Sequence, residues 1–182
     1  MLWKVISTKD VYTSKWMRVT EDQVETDFGQ RLMYNVLHRD DFALVIPFDG
    51  EKFVLIGQYR YPVDKFSWEF PMGMSAGLSM DEVARAELSE EAGLTAGSIK
   101  LLGTFYVAPG HATQACHAYF ATELIGGVQQ LETGEEGMEI KRVSFRELKQ
   151  MISDGTITDG PTMAAFSYLY TTGWVSENIK AV

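Results

Sequence analysis

One strongly capped helix, at about residues 80–92, stands between two strand-rich stretches, and that order constrains the fold more than any other feature of the chain. Ser79 can cap its start, and Glu82 three residues on completes a capping box. Gly93 follows the last helical residue, the usual place for a left-handed terminal conformation. Ahead of the helix, strands are expected at residues 4–7, 16–20, 24–26 and 31–37, with a turn at Asp27-Phe28-Gly29. Two apolar runs, residues 43–48 and 53–59, meet across Asp49-Gly50, a strong hairpin signal. The aromatic and small residues at 66–73 read as a loop. Further strands are expected at 99–107, 115–123 and 140–144, followed by helices at 145–153 and 161–172. Strands on both sides of a central helix, with a helical end, predict an α/β (α+β) sandwich. A boundary near residue 41 separates an N-terminal β segment, 1–41, from the main domain, 42–182.

The longest apolar runs are strand-sized, so no membrane span is expected. The N-terminus has no signal-peptide layout, and the single cysteine, Cys116, allows no internal disulfide; the expected location is cytoplasmic. The net charge of −9 disfavours nucleic acid as a partner. A small anion can still bind if a cation sits between it and the protein.

The stretch Glu87-Leu88-Ser89-Glu90-Glu91-Ala92-Gly93-Leu94 carries the chemistry. At 3.6 residues per turn, Glu87, Glu90 and Glu91 share one helix face. Each close like-charge pair costs about 0.2–0.5 kcal/mol. A solvated acidic face is the plain alternative. Against it, the acids lie beside the apolar stripe Ala84, Leu88 and Ala92 rather than opposite it, and the helix follows a glycine-rich loop. Clustered hard oxygen ligands suit magnesium, which would offset the repulsion and let an acidic protein hold a pyrophosphate.

Trp68-Glu69-Phe70-Pro71-Met72-Gly73 through Glu87–Leu94 resembles the Nudix box with its approach strand. Gln58-Tyr59-Arg60 resembles the tripeptide that precedes the box in ADP-ribose and nucleoside diphosphate sugar pyrophosphatases. Pro109 falls at that group's marker proline, and the stretch from Gly155 to Ala165 resembles its C-terminal signature. The four motifs span about residues 40–172 in the family's order. The chain departs from the box at Leu78, where a Glu is usual, and at Ala86, where an Arg is usual; the loop from Gly73 to Gly77 is one residue short.

The resemblance implies a Nudix-type α/β/α sandwich with a mixed central sheet, preceded by an N-terminal antiparallel β segment that serves dimerisation. It implies metal-dependent hydrolysis of the pyrophosphate of a nucleoside diphosphate sugar, with magnesium, or manganese in its place. ADP-ribose is favoured on Pro109, with GDP-mannose or a dinucleoside polyphosphate as alternatives. Glu87 and Glu91 would ligate metal directly, Glu90 would ligate or orient, and the Met72 carbonyl would be another ligand. A late-loop acid from Glu135-Glu136-Gly137-Met138-Glu139 would complete the site or act as base, with Glu139 and Glu136 favoured. Arg60, Glu69, Phe28, Pro109 and His111 are the candidate substrate contacts, and a homodimer is expected. The competing reading is a degenerate Nudix domain that binds nucleotide without catalysis, supported by Leu78 and Ala86.

Overall fold

The computed structural model describes residues 3–75 and 77–175; residue 76 of the box loop lies outside the described residues. The chain divides into two compact units, one formed by Met1–Asp41 with Phe105–Ala115, the other by Phe42–Thr104 with Cys116–Val182.

In the first unit, β1 (Lys4–Thr13), β2 (Arg18–Glu25) and β3 (Arg31–His38) form an antiparallel meander. The expected turn is present: Thr26 N–H donates to the Gln30 carbonyl at 2.9 Å, and Gly29 takes a left-handed φ of 73°. All three strands outrun the segments expected from sequence, because paired backbones carry the ladder through polar residues such as Glu21-Asp22-Gln23. Segment 105–115 is tied to β3, where Leu37 N–H donates to His111 at 2.8 Å and the Leu37 carbonyl accepts from Thr113 at 3.0 Å.

The second unit contains β4 (Phe42–Pro47), β5 (Phe53–Arg60), a short 3₁₀ turn (Tyr61–Val63), β6 (Lys65–Glu69), β7 (Met72–Met74), α1 (Met80–Glu90), β8 (Leu94–Tyr106) but for its last two residues, β9 (Ala115–Gly126) but for its first, β10 (Glu139–Val143), α2 (Phe145–Ser153) and α3 (Gly160–Thr171). Its strands form two sheets, ordered β10-β5-β6 and β7-β4-β9-β8. The second is mixed: β4 runs parallel to β9 and antiparallel to β7.

The Asp49-Gly50 turn corrects one expectation. The chain reverses there, with Asp49 N–H bonded to the Lys52 carbonyl at 3.1 Å, but β4 and β5 share only a bridge at Phe48 and Phe53. They then enter different sheets, each with a strand on either side. Every residue of β4 and the first five of β5 are buried, which suits the middle of a sheet rather than a two-stranded ladder.

Residues 66–73, expected as a loop, are instead the strands β6 and β7, and the chain changes sheet between them. Helix α1 begins with the expected capping box between Ser79 and Glu82, and Gly93 has a φ of 61°. Ala84, Leu88 and Ala92 are buried with Ala43 and Val45 of β4 and Val54 and Ile56 of β5. Helix α3 also packs on β4, so that strand, buried along its whole length, supports both the helix that ends at the site, α1, and the helix that begins beside it, α3.

Candidate active site

The 3.6-residue repeat brings Glu87 and Glu91 to the same side of α1, and burying Leu88 beside them draws that side toward β7. Glu91, at the C-cap, is only 3% exposed, and its carboxylate accepts from Met72 N–H at 2.8 Å. Glu87 lies against Gly73: a Cβ there would stand 1.8 Å from Oε1, so only glycine leaves room for the carboxylate. Burial, then the charges of Glu90, Glu135 and Glu132, push the Glu87 carboxyl up to about 7. Burial and the Glu87 charge push Glu91 up to about 9, against the pull of the Met72 N–H and the Arg60 charge.

Arg60 ends β5, and Glu69 ends the neighbouring β6. Arg60 Nε donates to the two carboxylate oxygens of Glu69 at 2.9 and 3.1 Å, and Nη2 donates to Oε2 as well. Glu69 is buried, so the fork of Arg60 is what makes its charge tolerable there. The bond to Glu69 raises the Arg60 pKa further. Asp159, the N-cap of α3, also acts on this pair; burial raises its pKa, and the Thr162 N–H bond at 2.8 Å opposes that rise. Arg85 pairs with Asp81 at 2.9 Å on the exposed side of α1 and does not take the role of the arginine absent at Ala86.

Segment 127–130 is fastened to the carboxyl end of α1. Gly127 N–H donates to the Gly93 carbonyl at 2.7 Å, Gln130 N–H to Glu90 at 2.9 Å, and Gln129 Nε2 to Glu91 at 2.7 Å. These bonds deliver Glu132 and the half-buried Glu135 to the acid cluster, since both act on Glu87 and Glu135 also acts on Glu91. The two acids favoured from sequence sit otherwise. Glu136 accepts from Gly134 N–H at 2.7 Å, and Glu139 opens β10 opposite Gly57, exposed. Phe28, Pro109 and His111 belong to the first unit and are exposed there.

Among the described residues, no three Asp, Glu, His or Cys side chains converge tightly enough to enclose a metal ion as they stand. The donor chemistry nonetheless fits a divalent cation. Glu87 and Glu91 are two hard oxygen donors that burial and neighbouring carboxylates hold partly protonated at neutral pH, and a bound cation is what would keep both ionised.

Asp159, Thr162 and Gln129 position this site without having been singled out by sequence, and Glu135, a late-loop candidate that was not favoured, is the one whose charge reaches both Glu87 and Glu91. Asp159 carried a local signal, the Asp-Gly-Pro-Thr pattern of a helix start. Thr162 and Gln129 carried none, because their partners are remote in sequence.

Comparison with known proteins gives the family and the fold. The family model of the Nudix domain matches residues 37–166, and that of the nucleoside diphosphate sugar hydrolase N-terminal domain matches residues 3–37. The chain is 26% identical to an ADP-ribose pyrophosphatase of Bacillus subtilis (strain 168) over 169 residues, 91% of each chain. It is 28% identical to a GDP-mannose pyrophosphatase of Pectobacterium atrosepticum over 158 residues, 81% of each. The fold matches the crystal structure of an ADP compounds hydrolase with a TM-score of 0.87 at 18% identity, covering 100% of this chain and 98% of that one. The chain belongs to the Nudix family, and it is a hydrolase.

Proposed function

We propose that this hydrolase cleaves the pyrophosphate of nucleoside diphosphate sugars in a reaction that needs magnesium, or manganese in its place. The products are a nucleoside monophosphate and a sugar phosphate. ADP-ribose is the favoured substrate, with GDP-mannose second; both appear in the names of relatives, and Pro109 stands at the marker position of the ADP-ribose group. The observation that carries the reading is the burial of Glu91 at 3% exposure beside Glu87, an arrangement costly to an apo protein and useful to one that binds a divalent cation.

Glu87, Glu91 and the Met72 carbonyl would hold the cation, with Glu90 ligating or orienting. When bound, the cation neutralises the diphosphate oxygens and acidifies a water beside the phosphorus. A late-loop carboxylate accepts the proton of that water as it attacks. Glu135 is preferred for this step because its charge reaches both Glu87 and Glu91, with Glu136 and Glu139 as the alternatives. Arg60, held in a fixed direction by Glu69, contacts a phosphate or the terminal ribose. Phe28, Pro109 and His111 are assigned to the nucleotide by family resemblance alone.

The same reading takes the protein as a homodimer. Strand β1 has no buried residue, and the first unit exposes Trp3, Val5, Val11, Tyr12 and Phe28, an apolar display that a second copy of the chain would cover.

The test is a panel of nucleoside diphosphate sugars and dinucleoside polyphosphates with magnesium, released phosphate being read through a coupled phosphatase beside Glu91→Gln. Turnover of an NDP-sugar that disappears in the variant is expected. A panel left intact with both magnesium and manganese would sink the metal-dependent pyrophosphatase reading. Single Glu→Gln changes at 135, 136 and 139 identify the base.

A further inference from the structure

We propose that Thr162 and Asp159, at the start of α3, are positioning residues that set the turn between β6 and β7 and aim the Arg60 guanidinium; this rests on the pyrophosphatase function proposed above. The chain leaves one sheet at Glu69 and joins the other at Met72. Between the two it has no ladder partner, yet Phe70 is fully buried, and a buried N–H needs an acceptor. Pro71 has no N–H, and its carbonyl accepts from Val45 at 2.9 Å. Two donors remain, and side chains from two helices meet them. Phe70 N–H donates to Thr162 Oγ1 at 3.0 Å, and Met72 N–H donates to Glu91 at 2.8 Å. Helix α3 thus holds one end of the crossover and α1 the other, and Gly73, the floor under Glu87, follows at once.

Thr162 is itself fully buried. Its N–H donates to the Asp159 carboxylate at 2.8 Å. The residue therefore has two separate bonds: its hydroxyl oxygen accepts from Phe70 N–H while its own N–H is held by Asp159. Asp159 is attracted by the Arg60 charge and repelled by that of Glu69. One residue therefore joins the crossover backbone, through its hydroxyl, to the anion that helps to balance Arg60, through its N–H. The two residues act through Phe70 and Arg60 on the groups that meet substrate and cation.

The test uses Thr162→Val, Thr162→Ser and Asp159→Asn in the full chain. Valine keeps the shape and removes the acceptor of Phe70 N–H, whereas serine keeps it. The readouts are kcat, KM, the magnesium concentration at half-maximal rate, and the rise in Tm caused by magnesium without substrate. Thr162→Val should lower kcat about tenfold, raise the magnesium midpoint about fivefold and at least halve the metal-induced rise in Tm, while Thr162→Ser stays within about twofold of wild type. Asp159→Asn should raise KM about fivefold with a smaller change in kcat. A folded valine variant with wild-type kcat and midpoint overturns the proposal, as does a serine variant damaged as much as the valine one. If the valine variant does not accumulate folded, Asp159→Asn decides: the rise in KM supports the proposal and a wild-type KM overturns it. A wild-type protein that hydrolyses nothing fails the proposed function instead, and the metal-induced rise in Tm still reads the positioning role.

Discussion

At Gly73 a single methyl group would have to share space with a carboxylate. Alanine there would place Cβ 1.8 Å from Glu87 Oε1, 2.2 Å from Cδ and 2.8 Å from Oε2. To go from 1.8 Å to the 3.4 Å of an ordinary contact, the carboxylate must retreat by about 1.6 Å. A misplacement of about 1 Å can cost roughly 100-fold in rate, about 2.7 kcal/mol of transition-state stabilisation. The fold should hardly notice. Gly73 sits in extended β7 opposite Ala43, so alanine fits the backbone, and the group that moves is the end of a flexible side chain. A strained rotamer costs about 0.5–1.5 kcal/mol, while Gly→Ala gains about 0.4–1 kcal/mol through the unfolded state. Gly73→Ala should therefore lower kcat about 100-fold with Tm moved by only a few degrees. A double-mutant cycle sharpens the assay: in a Glu87→Gln background, Gly73→Ala should add little further loss, because both act through one carboxylate. Wild-type kcat in Gly73→Ala, or full additivity in the cycle, would refute the reasoning.

Glu91→Gln should leave Tm in EDTA unchanged or raised, since it removes a buried repulsive carboxyl, and should abolish the rise in Tm with magnesium; a normal metal response would remove Glu91 from the ligands. Without metal, Glu87 and Glu91 have folded pKa values of about 7 and about 9, above the unfolded 4.5, so folding binds protons. Their contribution is full below pH 4.5 and is lost as pH climbs through 7 and 9, so apo Tm should fall from pH 6 to 9 in differential scanning calorimetry, and magnesium should flatten that slope while releasing protons at pH 7. Arg60→Ala strands the buried Glu69 and should cost about 3 kcal/mol in urea unfolding, which Glu69→Gln restores without restoring activity. Light scattering behind size exclusion should give twice the 20.5 kDa chain mass, and a charge placed at Val5 or Val11 should halve it.

What could be read from the sequence was whatever is decided locally. Helix α1 is marked by Ser79, Glu82 and Gly93, all within one short window, and its acids follow from helical periodicity. The second sheet was partly hidden. Asp49-Gly50 marks a reversal, but the partners of β4 and β5 are strands remote in sequence, which a turn signal does not name. The crossover at Phe70-Pro71 was hidden for the same reason, since its key acceptor, Thr162, lies 92 positions away. Within the acidic run at 132–139, composition cannot rank one Glu over another. The ranking comes from the anchoring of Gly127, Gln129 and Gln130 on the end of α1, which is visible only in three dimensions.

The capping box of α1 has a consequence for how such a chain can change over generations. Ser79 and Glu82 bond each other's N–H groups at the opening of the helix, so the cap takes no hydrogen bond from the residues before it. The rotational phase of Glu87 and Glu91 is counted from Ser79, not from β7. An insertion or deletion ahead of Ser79 is absorbed before the cap, and a box shortened there by one residue still presents its carboxylates at the same turns of the helix.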